Sequence, residues 1–441
     1  MSTNLGEDKV SSLLLRLSIP AIFGMLSSAI YNIVDRIFVG RLDPLALTGV
    51  GITMPLQILQ MAFVLLIGIG SSTLISIKLG EGKLEDAEGI LLAALKYIFI
   101  SLTLFTIPVV IFIEDILILL SVSPDVMGFA KDYIVILMLG GIFGLPGFCL
   151  NNSLRSIGFA KTSMKIIVFS SILNIILDPI FIFTLGLGIK GAAIATAISQ
   201  IYVTIAVLYF FIKREDSPIR LRLKRRGASL GYLKEIISNG SPTFYMQILG
   251  TAVSVMINTS ILKYGSDMHL AGFTIIGSIY SFYHMIIIGV VQGNQPICGY
   301  NFGAKKFHRV KESLYLTLKV TLFLSVIMLI WIMALPHSLA RMFTDDIALI
   351  NITSRFMRIY LLALPAAGLH TVVAQYFQAV SKPNLSTVLL VLRYGGILIP
   401  SLMVLPLFWG IEGVFFSNVV SDSISFLVAW ILVAREAKSY D

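Results

Sequence analysis

Charge is scarce in this sequence. Of its 441 residues, 13% are Asp, Glu, Lys or Arg and 57% are hydrophobic, with a mean hydropathy of +0.91. A typical soluble chain carries roughly 25% charged residues, so a water-soluble globular class is excluded. No polar stretch is long enough to fold as a separate soluble domain. Cysteine is nearly absent: Cys149 and Cys298 stand far apart inside apolar segments and in no metal or redox spacing, so both read as helix packing. The string LGEGK at 79–83 lacks the GxxxxGK[ST] spacing, so ATP hydrolysis by this chain is not expected. His284 and His370 fall in apolar segments, each without a second His or an Asp beside it, and read as polar residues between helices. A membrane-embedded enzyme would need such a pair, and no cofactor is expected. The first twelve residues, MSTNLGEDKVSS, lack the basic region and small-residue cleavage site of a signal peptide.

Apolar runs fill the chain instead. A helix needs roughly 20 mostly apolar residues to cross the hydrocarbon core, and twelve such runs are legible. They are expected near 13–38, 47–77, 89–113, 127–152, 164–187, 190–212, 232–262, 269–299, 311–335, 350–376, 384–408 and 411–434. The fold class is therefore an all-α membrane protein of twelve transmembrane helices. Alternate loops differ in basic residues: one set, with both termini, holds 22 of the 33 Lys and Arg. Basic loops stay cytoplasmic, so both termini are expected in the cytoplasm of a multi-pass inner-membrane protein. The longest basic run, KREDSPIRLRLKRRG from Lys213, reads as a cytoplasmic linker between spans six and seven rather than a nucleic-acid site.

The two halves repeat. SSTLISIKLGEGK at 71–83 aligns with NQPICGYNFGAKK at 294–306, pairing Gly80 with Gly303, and GIKGAAIATAIS at 188–199 aligns with GIEGVFFSNVVS at 410–421. Pro179 pairs with Pro400 in the same way. Six spans per copy is even, so both copies enter from one side, and substrate is expected between two lobes. The expected division is 1–212 for the N-terminal lobe, 213–231 for the linker and 232–441 for the C-terminal lobe.

A carboxylate inside hydrocarbon costs several kcal/mol and is a functional candidate by default. Asp178 stands mid-span in NIILDPIFIF, with Asn174 one turn before it on the same face. Pro179 follows directly and cannot donate to the carbonyl of Ile175. Asp35 is the second carboxylate, with Tyr31 and Asn32 one turn before it. Pro20 interrupts span one in LSIPAIFGM and can bend it. Asn258, Gln292, Asn294, Gln295 and Arg393, with Asp422, are candidates for lining the C-terminal half of the cleft.

YNIVDRIFVG at 31–40, SILNIILDPIFIF at 171–183, GAAIATAIS at 191–199 and GYNFGAKK at 299–306, in order on the expected spans, resemble the multidrug and toxic compound extrusion (MATE) transporters, in particular the DinF-like and MepA-like bacterial branch. The resemblance covers essentially the whole chain. It implies two six-helix bundles forming a V whose cleft opens to either side in turn. It also implies a cation or proton site at Asp35, Asn174, Asp178 and Thr196, and bending of the first helix at Pro20. Asp35 aligns with Asn258 and Asp178 with about Ile399, so the acidic pair is confined to the N-terminal lobe. The expected function is a cation-coupled antiporter, working as a monomer, that exports organic, cationic or amphiphilic compounds. H+ is favoured as coupling ion, and Na+ is permitted by the oxygens of the same four residues. The partners expected are small-molecule substrates and membrane lipids, with no nucleic acid. The rival readings are a lipid-linked oligosaccharide flippase, which wants a strongly cationic cavity, and a membrane-embedded enzyme.

Overall fold

A computed structural model describes residues 4–222 and 230–438. These residues are helical almost throughout. The N-terminal half runs α1 (Val10–Leu42), α2 (Pro44–Gly80), α3 (Leu84–Ile111), α4 (Pro124–Ser156), α5 (Ala160–Pro179) and α6 (Ile189–Lys213). The second half runs α7 (Leu230–Tyr264), α8 (Asp267–Gly303), α9 (Phe307–Ala334), α10 (Ile347–Tyr360 and Leu364–Ala379), α11 (383–409) and α12 (411–438).

Ten helices among the described residues are long and apolar enough to cross a membrane, and α10, bent by 49° between its two pieces, is an eleventh. One of the ten is a 54-residue stretch, Pro383–Glu436. It breaks at Gly410, where φ +54° and ψ −133° leave the helix, and so supplies both α11 and α12, for twelve spans among the described residues. Large apolar side chains cover the outside: Leu104, Phe323 and Phe408 are 71%, 65% and 76% exposed. An apolar exterior of that kind suits lipid and not water.

Local chemistry sets the ends and breaks. Asp43 accepts from the backbone N of Leu45 at 2.7 Å and caps α2, whose first residue, Pro44, has no N–H to leave unpaired. Asp346 caps α10 in the same manner. The expected spans fall short of the helices, 47–77 against Pro44–Gly80 and 269–299 against Asp267–Gly303, because polar terminal turns still continue the backbone ladder. The single helix expected at 350–376 is instead two pieces, since Pro365 opens the second piece and cannot donate back to the first.

Helices α1–α6 pack on one another, as do α7–α12, giving two six-helix bundles. Between the bundles, α1 crosses α8 and α2 crosses both α7 and α8. Glycine makes these crossings close. A methyl group at Gly80 would lie 2.0 Å from the carbonyl oxygen of Tyr300, and one at Gly303 would lie 2.1 Å from that of Ile77. Both pairs are 223 residues apart in register, so the two contacts are mates about a pseudo-two-fold axis. Gly70 and Gly240 likewise press on the carbonyls of Ile236 and Leu66. Small residues let backbones approach where lipid offers no hydrophobic drive.

The bundles meet at the end bearing Gly80 and Gly303 and part towards the other. There Pro55, Ile58 and Leu59 of α2 face Gln247, Ile248 and Thr251 of α7 across an open pocket of about 240 Å³. Between α6 and α7, the N of Arg220 donates to Glu88 Oε1 at 3.1 Å, tying the chain to α3. Residues 223–229 of the expected linker lie outside the described residues.

Candidate functional site

Helix α5 places Asn174 and Asp178 on one face, and α6 packs beside it to supply Thr196. Asn174 Nδ2 donates to Asp178 Oδ1 at 3.2 Å and to Thr196 Oγ1 at 3.3 Å. Helix α1 crosses α5 and brings Asp35, itself buried, within electrostatic range of Asp178. Tyr31, one turn before Asp35, lines a small cavity with Asn174, Thr196, Ser199 and Gln200. Tyr31 and Thr196, 165 positions apart in sequence, thus line one cavity inside the N-terminal bundle.

Pro179 shapes the floor of this site. Because it cannot donate to Ile175, the N of Ile180 bonds back to Leu177, and a π-helical turn follows over Ile180–Thr184. Such turns inside α-helices concentrate at functional positions.

The hydrogen bonding is incomplete in one direction only. Asp35 Oδ1, Asn174 Oδ1, Asp178 Oδ2 and Gln200 Oε1 are buried and accept nothing. All four are oxygens. Among the described residues no Lys or Arg forms an ion pair with either carboxylate. Arg36 is exposed, and its Nη2 lies 3.6 Å from Met54 Sδ. Buried polar atoms are nearly always satisfied, so this cluster of acceptors calls for something that a cation or proton would provide.

The other expected residues are dispersed. Asn32 is exposed and spends its amide on the carbonyl of Ser28 at 2.7 Å. Pro20 is buried inside α1, two residues after Ser18, whose hydroxyl donates to the carbonyl of Val290 at 3.2 Å in the other bundle. Asn258 is half-buried on α7. Gln292 is half-buried, and its Oε1 has no donor. Asn294 faces Cys298 Sγ at 3.3 Å, and Gln295 donates to Thr73 Oγ1 at 2.7 Å, bridging the bundles. His370 lies near the carbonyl of Leu389 and His284 stacks on Tyr280.

Arg393 is buried and paired. Its Nε donates to Asp422 Oδ1 at 2.8 Å and its Nη2 to the Tyr280 hydroxyl at 3.3 Å, while Asn418 Nδ2 donates to Asp422 Oδ2 at 3.1 Å. Sequence reasoning named Arg393 and Asp422 separately and missed Asn418 and Gln200. A signal for both was available: Asn418 holds the place of Thr196 in the repeated string, and Gln200 follows Thr196 by one turn.

The MatE family pattern matches residues 20–180 and 242–404, two copies that together span well over half the chain. The chain is 28% identical over 429 residues to the multidrug export protein MepA of Staphylococcus aureus (strain N315), covering 97% of this chain and 94% of that one. A structure described as the outward-facing conformation of a multidrug resistance MATE family transporter superposes with a TM-score of 0.92 at 23% identity, covering 99% of each chain. Another, described as MATE in the bent conformation, superposes at 0.94 and 23% identity over 100% of this chain and 99% of that one. Twelve spans in two bundles, two family repeats and these likenesses agree: the chain belongs to the MatE family of multidrug and toxic compound extrusion transporters.

Proposed function

We propose that this chain exports organic cations across the cytoplasmic membrane by alternating access, in exchange for a cation that binds Asp35, Asn174, Asp178 and Thr196 from outside. The observation that carries this reading is the set of unpartnered oxygens, from Asp35, Asn174, Asp178 and Gln200, buried in the N-terminal bundle. Coupling requires that ion and substrate each bind the two states differently. A site assembled from α1, α5 and α6 meets that requirement, because α1 also packs on α8 of the other bundle and feels the two bundles move.

The proton is the favoured ion. An ionised carboxylate pair in a dry interior repels itself, and one proton relieves both the repulsion and the desolvation. Sodium would use the same oxygens. The apolar walls at Pro55–Ala62 and Gln247–Ala252 suit the flat apolar body of a lipophilic cation. The MepA relative's name, a multidrug export protein, is in keeping with such a substrate. Arg393, the one buried Lys or Arg in the C-terminal bundle among the described residues and the one a flippase reading would use, is neutralised by Asp422.

The end closed by Gly80 and Gly303 is read as cytoplasmic, because the basic loops lie there, and the cleft then faces outward. One chain holds the whole pathway, so a monomer in contact with lipid suffices. The test is ethidium efflux by Asp178→Asn protein, which keeps the shape of the site and removes its charge. Coupled efflux should be lost while the protein remains inserted, and full efflux by that variant would remove Asp178 from the mechanism.

A further inference from the structure

The repeated strings GIKGAAIATAIS and GIEGVFFSNVVS place Thr196 on Asn418 and, one turn on, Gln200 on Asp422. A hydrogen bond supports the same register in the neighbouring helices. Ser170 donates to the carbonyl of Ser199 at 2.7 Å, and Ser421 donates to the carbonyl of Arg393 at 2.7 Å. Ser199 and Ser421 are 222 residues apart, which puts Arg393 beside the counterpart of Ser170 on the matching helix. Both bundles therefore carry a buried polar layer between the same two helices.

The two layers are satisfied differently. In the N-terminal bundle, Asn174 Oδ1, Asp178 Oδ2 and Gln200 Oε1 have no donor. In the C-terminal bundle, Asp422 Oδ1 accepts from Arg393 and Asp422 Oδ2 from Asn418, and no side-chain atom of Arg393, Asn418 or Asp422 is left buried without a partner. The Arg393 and Asp422 side chains are 5% and 2% exposed, and Tyr280 closes the layer from α8. A guanidinium at this depth on a fixed stem is a positive charge that cannot leave.

We propose that Arg393 is a tethered counter-ion. In the C-terminal bundle it takes the place that the exchangeable cation takes in the N-terminal bundle, so that Asp422 stays permanently neutralised and only one lobe is coupled. The proposal rests on the reading of the N-terminal oxygens as the cation site. It makes Arg393 the residue that sets how many cations are exchanged per substrate, without touching substrate itself. Removing the guanidinium exposes Asp422 and Asn418 as a second acceptor cluster, to be filled by a proton or sodium ion from the cleft.

The test measures charge moved per ethidium, from how far the ethidium gradient that nulls net flux shifts with imposed membrane potential in proteoliposomes of the full chain, no shift meaning no net charge. That quantity does not depend on which ion is used. Arg393→Gln should move one more elementary charge per ethidium than wild type, and Arg393→Gln/Asp422→Asn should restore the wild-type value. The double variant leaves no unpaired buried charge and so covers a single variant too unstable to work: revival of an inactive Arg393→Gln protein by Asp422→Asn supports the proposal. An active Arg393→Gln protein with the wild-type charge ratio overturns it, as does an inactive one that Asp422→Asn fails to revive. Asp178→Asn in the same assay reports on the N-terminal site alone, so failure of that reading is seen separately.

Discussion

Gly188 and Gly410, 222 residues apart, hold one backbone conformation, φ +58° and ψ −135° in the first and φ +54° and ψ −133° in the second. Each opens the last helix of its bundle. That region of φ and ψ is essentially closed to residues with a Cβ, so the same turn was fixed in both copies by the same residue.

Gly410→Ala should therefore destabilise the protein by about 1–3 kcal/mol through backbone strain. Nothing lies within 4 Å of a methyl group at Gly410, so crowding does not contribute. Gly250→Ala, in the interior of α7 and equally uncrowded, serves as the control and should be neutral or stabilising. Thermal unfolding in detergent reads the difference, and equal melting temperatures would argue against the strained turn.

Gly303→Leu should hold the two bundles apart at the end where they meet. The added side chain points at the carbonyl of Ile77, which belongs to helix backbone and cannot give way. Overpacking of this kind costs about 1–3 kcal/mol, enough to lower the closed population about fivefold or more. Spin labels at exposed Glu85 and His308, one on each bundle, should show a longer distance in the variant. An unchanged distribution would mean that this crossing does not set closure.

The twelve spans were legible because runs of about 20 apolar residues have few other uses. Asn174 and Asp178 were legible because a four-residue spacing fixes a shared helical face whatever the packing. The pair Arg393–Asp422 was not, since its members are 29 positions apart and meet only once α11 and α12 fold back on each other. The break in α10 was half legible: Pro365 stood in the sequence, but a proline mid-span bends, breaks or spares a helix according to its neighbours. Gln295 reads from the sequence as a residue for the cleft wall, and its partner Thr73, 222 positions away on the other bundle, was not legible.

Glu215→Cys should be labelled by an impermeant maleimide only after cells are opened. Glu215 is exposed in the basic segment after α6, and such segments stay cytoplasmic. The native Cys149 and Cys298 are fully buried and give little background. Labelling of intact cells would invert the orientation and with it the direction of the cleft.

Pro20→Ala restores a backbone donor to the interior of α1. A restored hydrogen bond is worth about 1 kcal/mol, so a bent form of α1 would become about fivefold rarer. Ethidium transport should slow by a similar factor. A variant with wild-type rates would reduce Pro20 to a passive element of the helix.

Substrate is, on the function proposed above, exchanged for a cation at Asp35 and Asp178, with the proton favoured. The direct measurement is ethidium efflux from vesicles under imposed gradients, in wild type and in Asp178→Asn. Efflux should follow an inward proton gradient at equal sodium on both sides, and should vanish in the variant. Efflux driven by a sodium gradient at equal pH and indifferent to a pH gradient would contradict the proton assignment, and efflux indifferent to both would contradict cation exchange itself.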